Sequence, residues 1–322
     1  MADAITRAKL FFNLSRSQKQ LLSTFSGLLI IIIVFSILSP YFFSVNNLLT
    51  VATQTAIIAI IAIGQTYVMI TAGIDLSIGS NIALAGMITA LSIMKGSVPL
   101  PLAMLFGLLS GGLVGLINGI FVSFGKLPPF IATLGTMTAV RGVCLTLTQG
   151  IPISGLPKTF TLFGTDATLN IPNPVIIMIL LVLIFGFILA KTKLGRHVYA
   201  AGSNFEAARL SGVNTKRVLI MVYIFSGLLA AFAGLIMAAR IVSAQPAAGD
   251  GYELDAVASS VIGGTSTMGG EGSIAGTFIG AFVIGILRNG LNLIGVSPFI
   301  QKIVIGVVIV GSVFFDKIKR KD

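Results

Sequence analysis

Apolar runs of about twenty residues follow one another with little pause from residue 21 to residue 315, and a run of that length is what an α-helix needs to cross a bilayer. Ten can be marked, at 21–39, 51–72, 76–94, 100–122, 128–148, 173–191, 218–239, 253–267, 273–293 and 298–315. The eighth is short and rich in Gly, Ser and Thr. Only 10% of the 322 residues are charged, against about 25% in a soluble domain, too few to cover a water-facing surface. In lipid the backbone must satisfy its own hydrogen bonds, so the spans must be helical. The sequence predicts an all-α, polytopic integral membrane protein of about ten transmembrane helices. It excludes a soluble enzyme and a disordered chain.

The Lys and Arg residues set the orientation. With the N-terminus inside, the cytoplasmic segments carry Arg7, Lys9, Arg16 and Lys19, then Lys126, then six residues of 191–217, then Lys317, Lys319, Arg320 and Lys321. The outer loops carry Lys95, Lys158 and Arg240, while Arg141, Arg288 and Lys302 fall inside spans. Ten crossings then leave both termini cytoplasmic. The net charge of +11 is thus a positive-inside bias and no sign of nucleic-acid binding. Three regions follow: a cytoplasmic N-terminal segment over 1–20, a transmembrane domain over 21–316 with a basic cytoplasmic loop at 191–217, and a basic tail over 317–322. The first span follows a basic segment and ends at Ser39-Pro40-Tyr41, which offers no signal-peptidase site, so it is expected to stay as the first helix.

Catalytic signatures are absent from the sequence. One cysteine, Cys144, and one histidine, His197, lie far apart, which argues against a metal site or a Cys/His nucleophile pair. No phosphate-cradling G-x-x-x-x-G-K-[ST] and no G-x-S-x-G occurs. Gly270-Glu271-Gly272-Ser273-Ile274-Ala275 matches G-x-G-x-x-A by letter, but no strand precedes it and Asn292 stands where a ribose-binding acid would.

Three polar stretches interrupt the apolar pattern. Thr71 to Asn81 joins two spans with almost no loop and holds Asp75 between Gly73 and Gly79. An acid at membrane depth costs about 2.5–3.5 kcal/mol, and the glycines predict a broken helix, tolerable where backbone faces protein or a wet cavity. Asp75 can cap the third helix through backbone N–H groups near Ser77, or line a gate or path; the two roles are compatible. Thr71, Asp75, Ser77, Asn81 and Asn292 are the candidates for that path. Residues 191–217 form the second stretch. Ser203 or Asn204 can cap a short helix that begins near Phe205, Gly212 can end it, and Glu206 and Arg209 are i, i+3 neighbours. Two helical turns outside the membrane bury no core of their own and imply something that docks on them. The third stretch runs from Arg240 to Asp255 and on into the glycine-rich segment 263–270. A second short or broken helix is expected near 253–270, with Glu253 or Asp255 paired to Arg288 in an outer vestibule.

Glycines recur every fourth residue at 107, 111, 115 and 119, and again at 272, 276 and 280. Lipid gives no hydrophobic drive between helices, so such stripes predict close backbone crossings.

On GIDLSIGS (73–80), GSNFEAARLSGV (202–213), SAQPAAGDGYELDA (243–256), GGTSTMGGEGSIAGTFIGAF (263–282) and NGLNLIGVS (289–297), the chain resembles the permease subunits of bacterial carbohydrate-uptake ATP-binding cassette importers, from about residue 24 to the C-terminus. The resemblance implies a multi-pass protein of the bacterial inner membrane, in the fold shared with branched-chain amino-acid permeases. It implies two copies around one path, a cytoplasmic ATPase that carries ATP and Mg, and a periplasmic sugar-binding protein. No cofactor, metal or catalytic residue would then sit on this chain. Glu206-Ala207-Ala208 with Gly212 matches the core of the EAA-x-x-x-G coupling loop, so Asn204, Glu206, Ala207, Ala208, Arg209 and Gly212 would meet the ATPase. The Leu-Pro that follows in the family is Val213-Asn214-Thr215 here. The cargo would be a monosaccharide, ribose first among candidates. A neutral sugar needs hydroxyl-bonding groups along its path and no countercharge. The competing reading is an ATP-independent sugar transporter or channel, whose ion site would have to use Asp75, Glu271 or Glu253.

Overall fold

A computed structural model describes residues 16–319. Residues 1–15 of the expected N-terminal segment and the last three of the basic tail lie outside the described residues. The helices are α1 (Arg16–Leu38), α2 (Val45–Ile70), α3 (Ile78–Met94), α4 (Leu100–Ser123), α5 (Pro129–Thr148), α6 (Lys158–Thr165), α7 (Asn173–Lys191), α8 (Lys193–Ser203), α9 (Phe205–Leu210), α10 (Thr215–Ile241), α11 (Tyr252–Ile262), α12 (Ile274–Leu293) and α13 (Pro298–Lys319). Strands β1 (Ile153–Ser154) and β4 (Ser243–Ala244) pair antiparallel, as do β2 (Ala167–Thr168) and β3 (Ile171–Pro172).

Among the described residues seven helices, α1, α2, α4, α5, α7, α10 and α12, have the length and apolarity to cross a membrane. Their starts obey local rules. Ser44 caps α2 and Ser273 caps α12, each accepting a backbone N–H of the first turn, while α4, α5 and α7 place proline in that turn, where no donor is lost.

Of the three remaining expected spans, 298–315 is α13, with 22 residues, and the other two are shorter helices. α3 has 17 residues and α11 has 11, so α11 rises only about 17 Å. The cause in α3 is the turn before it. Ala72 N–H bonds to the Met69 carbonyl and Gly73 N–H to the Val68 carbonyl, which closes α2 with a Schellman motif. Ala72 takes the left-handed conformation (φ 60°) that glycine usually supplies, at about 1–2 kcal/mol. Residues 74–77 then run without helix to the start of α3.

α2 and α10 form the centre, and both are largely buried. The first glycine stripe does the work expected of it. A Cβ on Gly107 would meet Thr89 and Ala85 of α3; on Gly111, Ala231 and the Gly227 carbonyl; on Gly115, the Tyr223 carbonyl; on Gly119, the Ile220 backbone. That stripe seats α4 against α3 and α10. In the second, Gly276 meets the Gly263 carbonyl and Gly280 the Ser259 carbonyl, seating α12 on α11. Apolar faces of α7 and α13 remain exposed, with Phe187, Phe299 and Val307 among them, as lipid-facing surfaces should.

The 191–217 segment holds more order than its sequence suggests. α8 precedes the expected short helix, capped by Thr192, whose hydroxyl accepts from Gly195 N–H. Gly202 packs on the Ile70 carbonyl, Gly270 N–H bonds to that carbonyl at 2.9 Å, and the Tyr199 hydroxyl donates to the Gly272 carbonyl at 2.6 Å. The glycine-rich 263–273 segment is therefore a tight strap over the ends of α2 and α8, not a dinucleotide turn. α8, α9, Lys126 and Lys216 mark one end of the bundle; Lys95, α6 and Arg240 mark the other.

Candidate functional site

Asp75 is 1% exposed. Its Oδ1 accepts from Ser77 N–H at 2.9 Å and from the Ser77 hydroxyl at 2.6 Å, and its Oδ2 accepts from the Ser226 hydroxyl of α10 at 2.7 Å. The first of these bonds closes an Asx turn just ahead of α3; Ser77, at the N-cap position of that helix, makes no side-chain capping bond of its own. No Lys or Arg pairs with Asp75 among the described residues; two serine hydroxyls and one amide stand in for a countercharge. Asn118 of α4 donates to the Ser77 Oγ at 2.8 Å, and Gln65 of α2 accepts from Asp75 N–H at 3.3 Å. One turn into α3, Asn81 donates to the Gly111 and Gly227 carbonyls. Four helices are thus tied at one depth by uncharged donors and acceptors. Gln65 Nε2, Asn81 Oδ1, Asn118 Oδ1 and the Tyr223 hydroxyl stay without a partner there, and Tyr223 lies against Gly73.

A cavity of about 1060 Å³ reaches this cluster from the basic end of the bundle. Its walls include Thr71, Gly73 and Tyr223 on one side and Glu206, Arg209 and Gly212 on the other. The Thr71 hydroxyl bonds back to the Val68 carbonyl, so Thr71 lines the cavity without joining the Asp75 network. Asn292 is exposed near the end of α12 and lies outside that network as well.

α9 projects beside the cavity. Asn204 caps it by accepting from Ala207 N–H at 2.9 Å, Arg209 and Glu206 pair at 2.8 Å, and Gly212 leaves it with φ +84°. Ala208 faces inward, while Phe205 and Leu210 are 41% and 78% exposed. The departure at 213–215 has a local meaning: Asn214 accepts from Arg217 N–H and caps α10.

At the other end Arg288 finds Asp255 rather than Glu253. Its Nη2 donates to Oδ1 at 2.8 Å and lies 2.6 Å from Oδ2, leaving Nε without an acceptor. The guanidinium also sits 5.6 Å from the centre of the Tyr252 ring, within cation–π range. Glu253 accepts from Gly251 N–H and presses on Gly79, and Lys302 is exposed. Removing Arg288 strands a buried carboxylate, a change worth about 3–5 kcal/mol. Arg288→Ala is therefore expected to lower the unfolding temperature in detergent more than Arg288→Ala with Asp255→Leu does. Equal losses in the two variants would mean the pair is not coupled.

Gln65, Asn118, Ser226 and Tyr223 do not stand out in the sequence, yet each is a polar group inside an apolar span, and that signal was available.

Residues 47–313 match the family described as the branched-chain amino acid transport system / permease component. The chain belongs to this permease family. Among its members it is 48% identical over 302 residues to the ribose import permease protein of Bacillus subtilis (strain 168), covering 93% of this chain and 94% of that one. It is 46% identical over 298 residues to the ribose import permease protein of Escherichia coli (strain K12), covering 91% and 92%. The D-allose transport system permease protein of Escherichia coli (strain K12) is 40% identical over 299 residues, covering 92% of each chain. No solved structure matches this permease.

Proposed function

We propose that this chain is the membrane-spanning permease of an ATP-driven sugar importer in the bacterial inner membrane, passing a monosaccharide, ribose first, into the cytoplasm by alternating access. The family and the import permeases at 46–48% identity support the cargo. The observation that carries the mechanism is the single cavity that joins the exposed α9 helix to the floor of the Asp75 cluster.

In this reading the basic end faces the cytoplasm, both termini lie there, and α3, α11 and α13 complete ten membrane segments. A cytoplasmic ATPase docks on α9 through Phe205, Leu210 and the Glu206–Arg209 pair. ATP and Mg belong to that partner. A periplasmic sugar-binding protein delivers cargo at the opposite end, and a second copy of this chain completes the path. Asp75, Ser77, Asn81 and their neighbours form the inner gate. The Ser, Asn, Gln and Tyr groups around them offer hydroxyl-bonding chemistry without a fixed charge, which suits weak, reversible contact with a neutral sugar. Nucleotide binding supplies the differential affinity between the two states, and α9 and α8 pass it to the strap over the end of α2.

The test is uptake of labelled ribose, xylose and allose into proteoliposomes holding permease, ATPase and binding protein. Ribose uptake that depends on ATP and the binding protein is expected; accumulation by the permease alone would point to the ATP-independent reading. Leu210→Glu and Gly212→Pro test the docking surface. The first puts a charge on the apolar contact and the second imposes φ near −65° where +84° is needed. Both should insert normally and lose most ATP-coupled uptake, and coupled transport at the parent rate by both would place the docking surface elsewhere.

A further inference from the structure

Arg141 lies within α5, an otherwise apolar span, where a guanidinium is costly and asks for a stated partner. Its partners are not side chains. Nη1 donates to the Pro246 carbonyl at 2.7 Å and to the Ala248 carbonyl at 2.8 Å. Both carbonyls belong to the irregular segment between β4 and α11. That segment turns through Gly249 (φ +74°) and Gly251 (φ +82°), and Gly249 is seated on the Gly79 carbonyl near the start of α3 with no room for a side chain. The Gly79 contact places the segment well inside the bundle: Asn81, two residues on, bonds to Gly227 of α10, twelve residues or about 18 Å from the start of that helix.

Resting on the reading of this chain as an importer permease, we infer that Arg141 is a positioning residue for transport: it latches residues 245–251 across the outer side of the path and releases them when the outer side opens. The chemistry suits a latch. Backbone carbonyls accept from a guanidinium whatever side chains they carry, and one nitrogen holds both, so the segment can leave and return as a unit. Among the described residues no other side-chain hydrogen bond joins α5 to this segment, and the apolar contact between them is partial: Ala248 rests on the cluster that includes Val140 and Cys144.

The test places one cysteine on the segment. In a Cys144→Ser, Ala248→Cys protein, reconstituted with ATPase and binding protein, an impermeant maleimide is added from outside. Labelling should be slow at rest and faster with ATP and loaded binding protein. Adding Arg141→Gln should make it fast in every state and lower uptake at least about tenfold, the factor that goes with losing one charge-assisted bond. A role confined to folding would reduce the amount of inserted protein and leave the state dependence in place. Slow resting labelling in Arg141→Gln, uptake at the parent rate, or parent labelling that ignores ATP while uptake proceeds would each overturn the latch. Should the parent mixture show no uptake at all, the importer reading fails instead. Labelling of the permease alone, with and without Arg141→Gln, still decides whether the guanidinium holds the segment.

Should Arg141→Gln not insert, native Cys144, which is buried, and Ala248→Cys, which rests on the same cluster, can be oxidised to a disulfide that fixes the segment to α5. Uptake should stop on linking and recover on reduction. Continued uptake by the linked protein overturns the proposal.

Discussion

Asp75→Ala is expected to reduce sugar uptake about a hundredfold while the protein still inserts and stays folded. The substitution leaves the Ser77 N–H, the Ser77 hydroxyl and the Ser226 hydroxyl without their acceptor. A buried donor left unsatisfied costs about 1–3 kcal/mol, hydroxyls can turn to other acceptors, and a net loss near 3 kcal/mol corresponds to roughly a hundredfold. The start of α3 then loses its turn and one of its two ties to α10, contacts that hold the proposed inner gate. Asp75→Asn keeps one acceptor oxygen and a similar shape, so its uptake should fall less. The measurements are transport in proteoliposomes and unfolding temperature in detergent. If Asp75→Ala transports at the parent rate, the cluster is a folding device and no part of the gate.

The second large effect is expected at Gly115. A Cβ there falls on the Tyr223 carbonyl oxygen, backbone that cannot turn aside, so Gly115→Leu must force α4 away from α10 along the whole stripe. Overpacking costs about 1–3 kcal/mol for small insertions, and a leucine at a backbone crossing lies at or beyond that range. The unfolding temperature should drop by at least about 6–12 °C at 2–4 °C per kcal/mol, and uptake should vanish because Tyr223 and Asn118 sit on the two helices driven apart. Gly135 of α5 is the control. Nothing lies within 4 Å of a Cβ at that position, so Gly135→Ala should leave both readouts unchanged. A stable, active Gly115→Leu protein would show that the α4–α10 crossing is looser than described.

What could be read from the sequence was local. The α9 helix was legible because its signals sit within nine residues: Asn204 for the cap, the Glu206–Arg209 spacing, and Gly212 for the exit. The turn at Asp75 was legible for the same reason, since an acid between two glycines at the seam of two apolar runs has few conformations open to it. The Asp75 partners were not legible. Ser226 lies 151 positions away, and the alternatives for a buried hydroxyl in an apolar span are too many to choose among without a fold. α8 was missed because a basic stretch reads as a solvated loop; it is held by Tyr199 and Gly202 against groups more than sixty residues distant. Arg288 was placed near two acids, and only the packing of α11 on α12, set by Gly276 and Gly280, selects Asp255. Arg141 was legible as a charge inside a span, but its partners were not, because backbone carbonyls are its acceptors and those carry no letter in the sequence.

The brevity of α11 has one more consequence. A helix of 11 residues covers about 17 Å of a hydrocarbon layer near 30 Å deep, and the turns at 74–77 and 245–251 flank it and α3 from opposite directions. Between them Gly249 packs on the Gly79 carbonyl, so irregular backbone from both sides meets inside the bundle. In the proposed alternating-access cycle, two stubby rods that meet there can tilt against each other without breaking a full-length span.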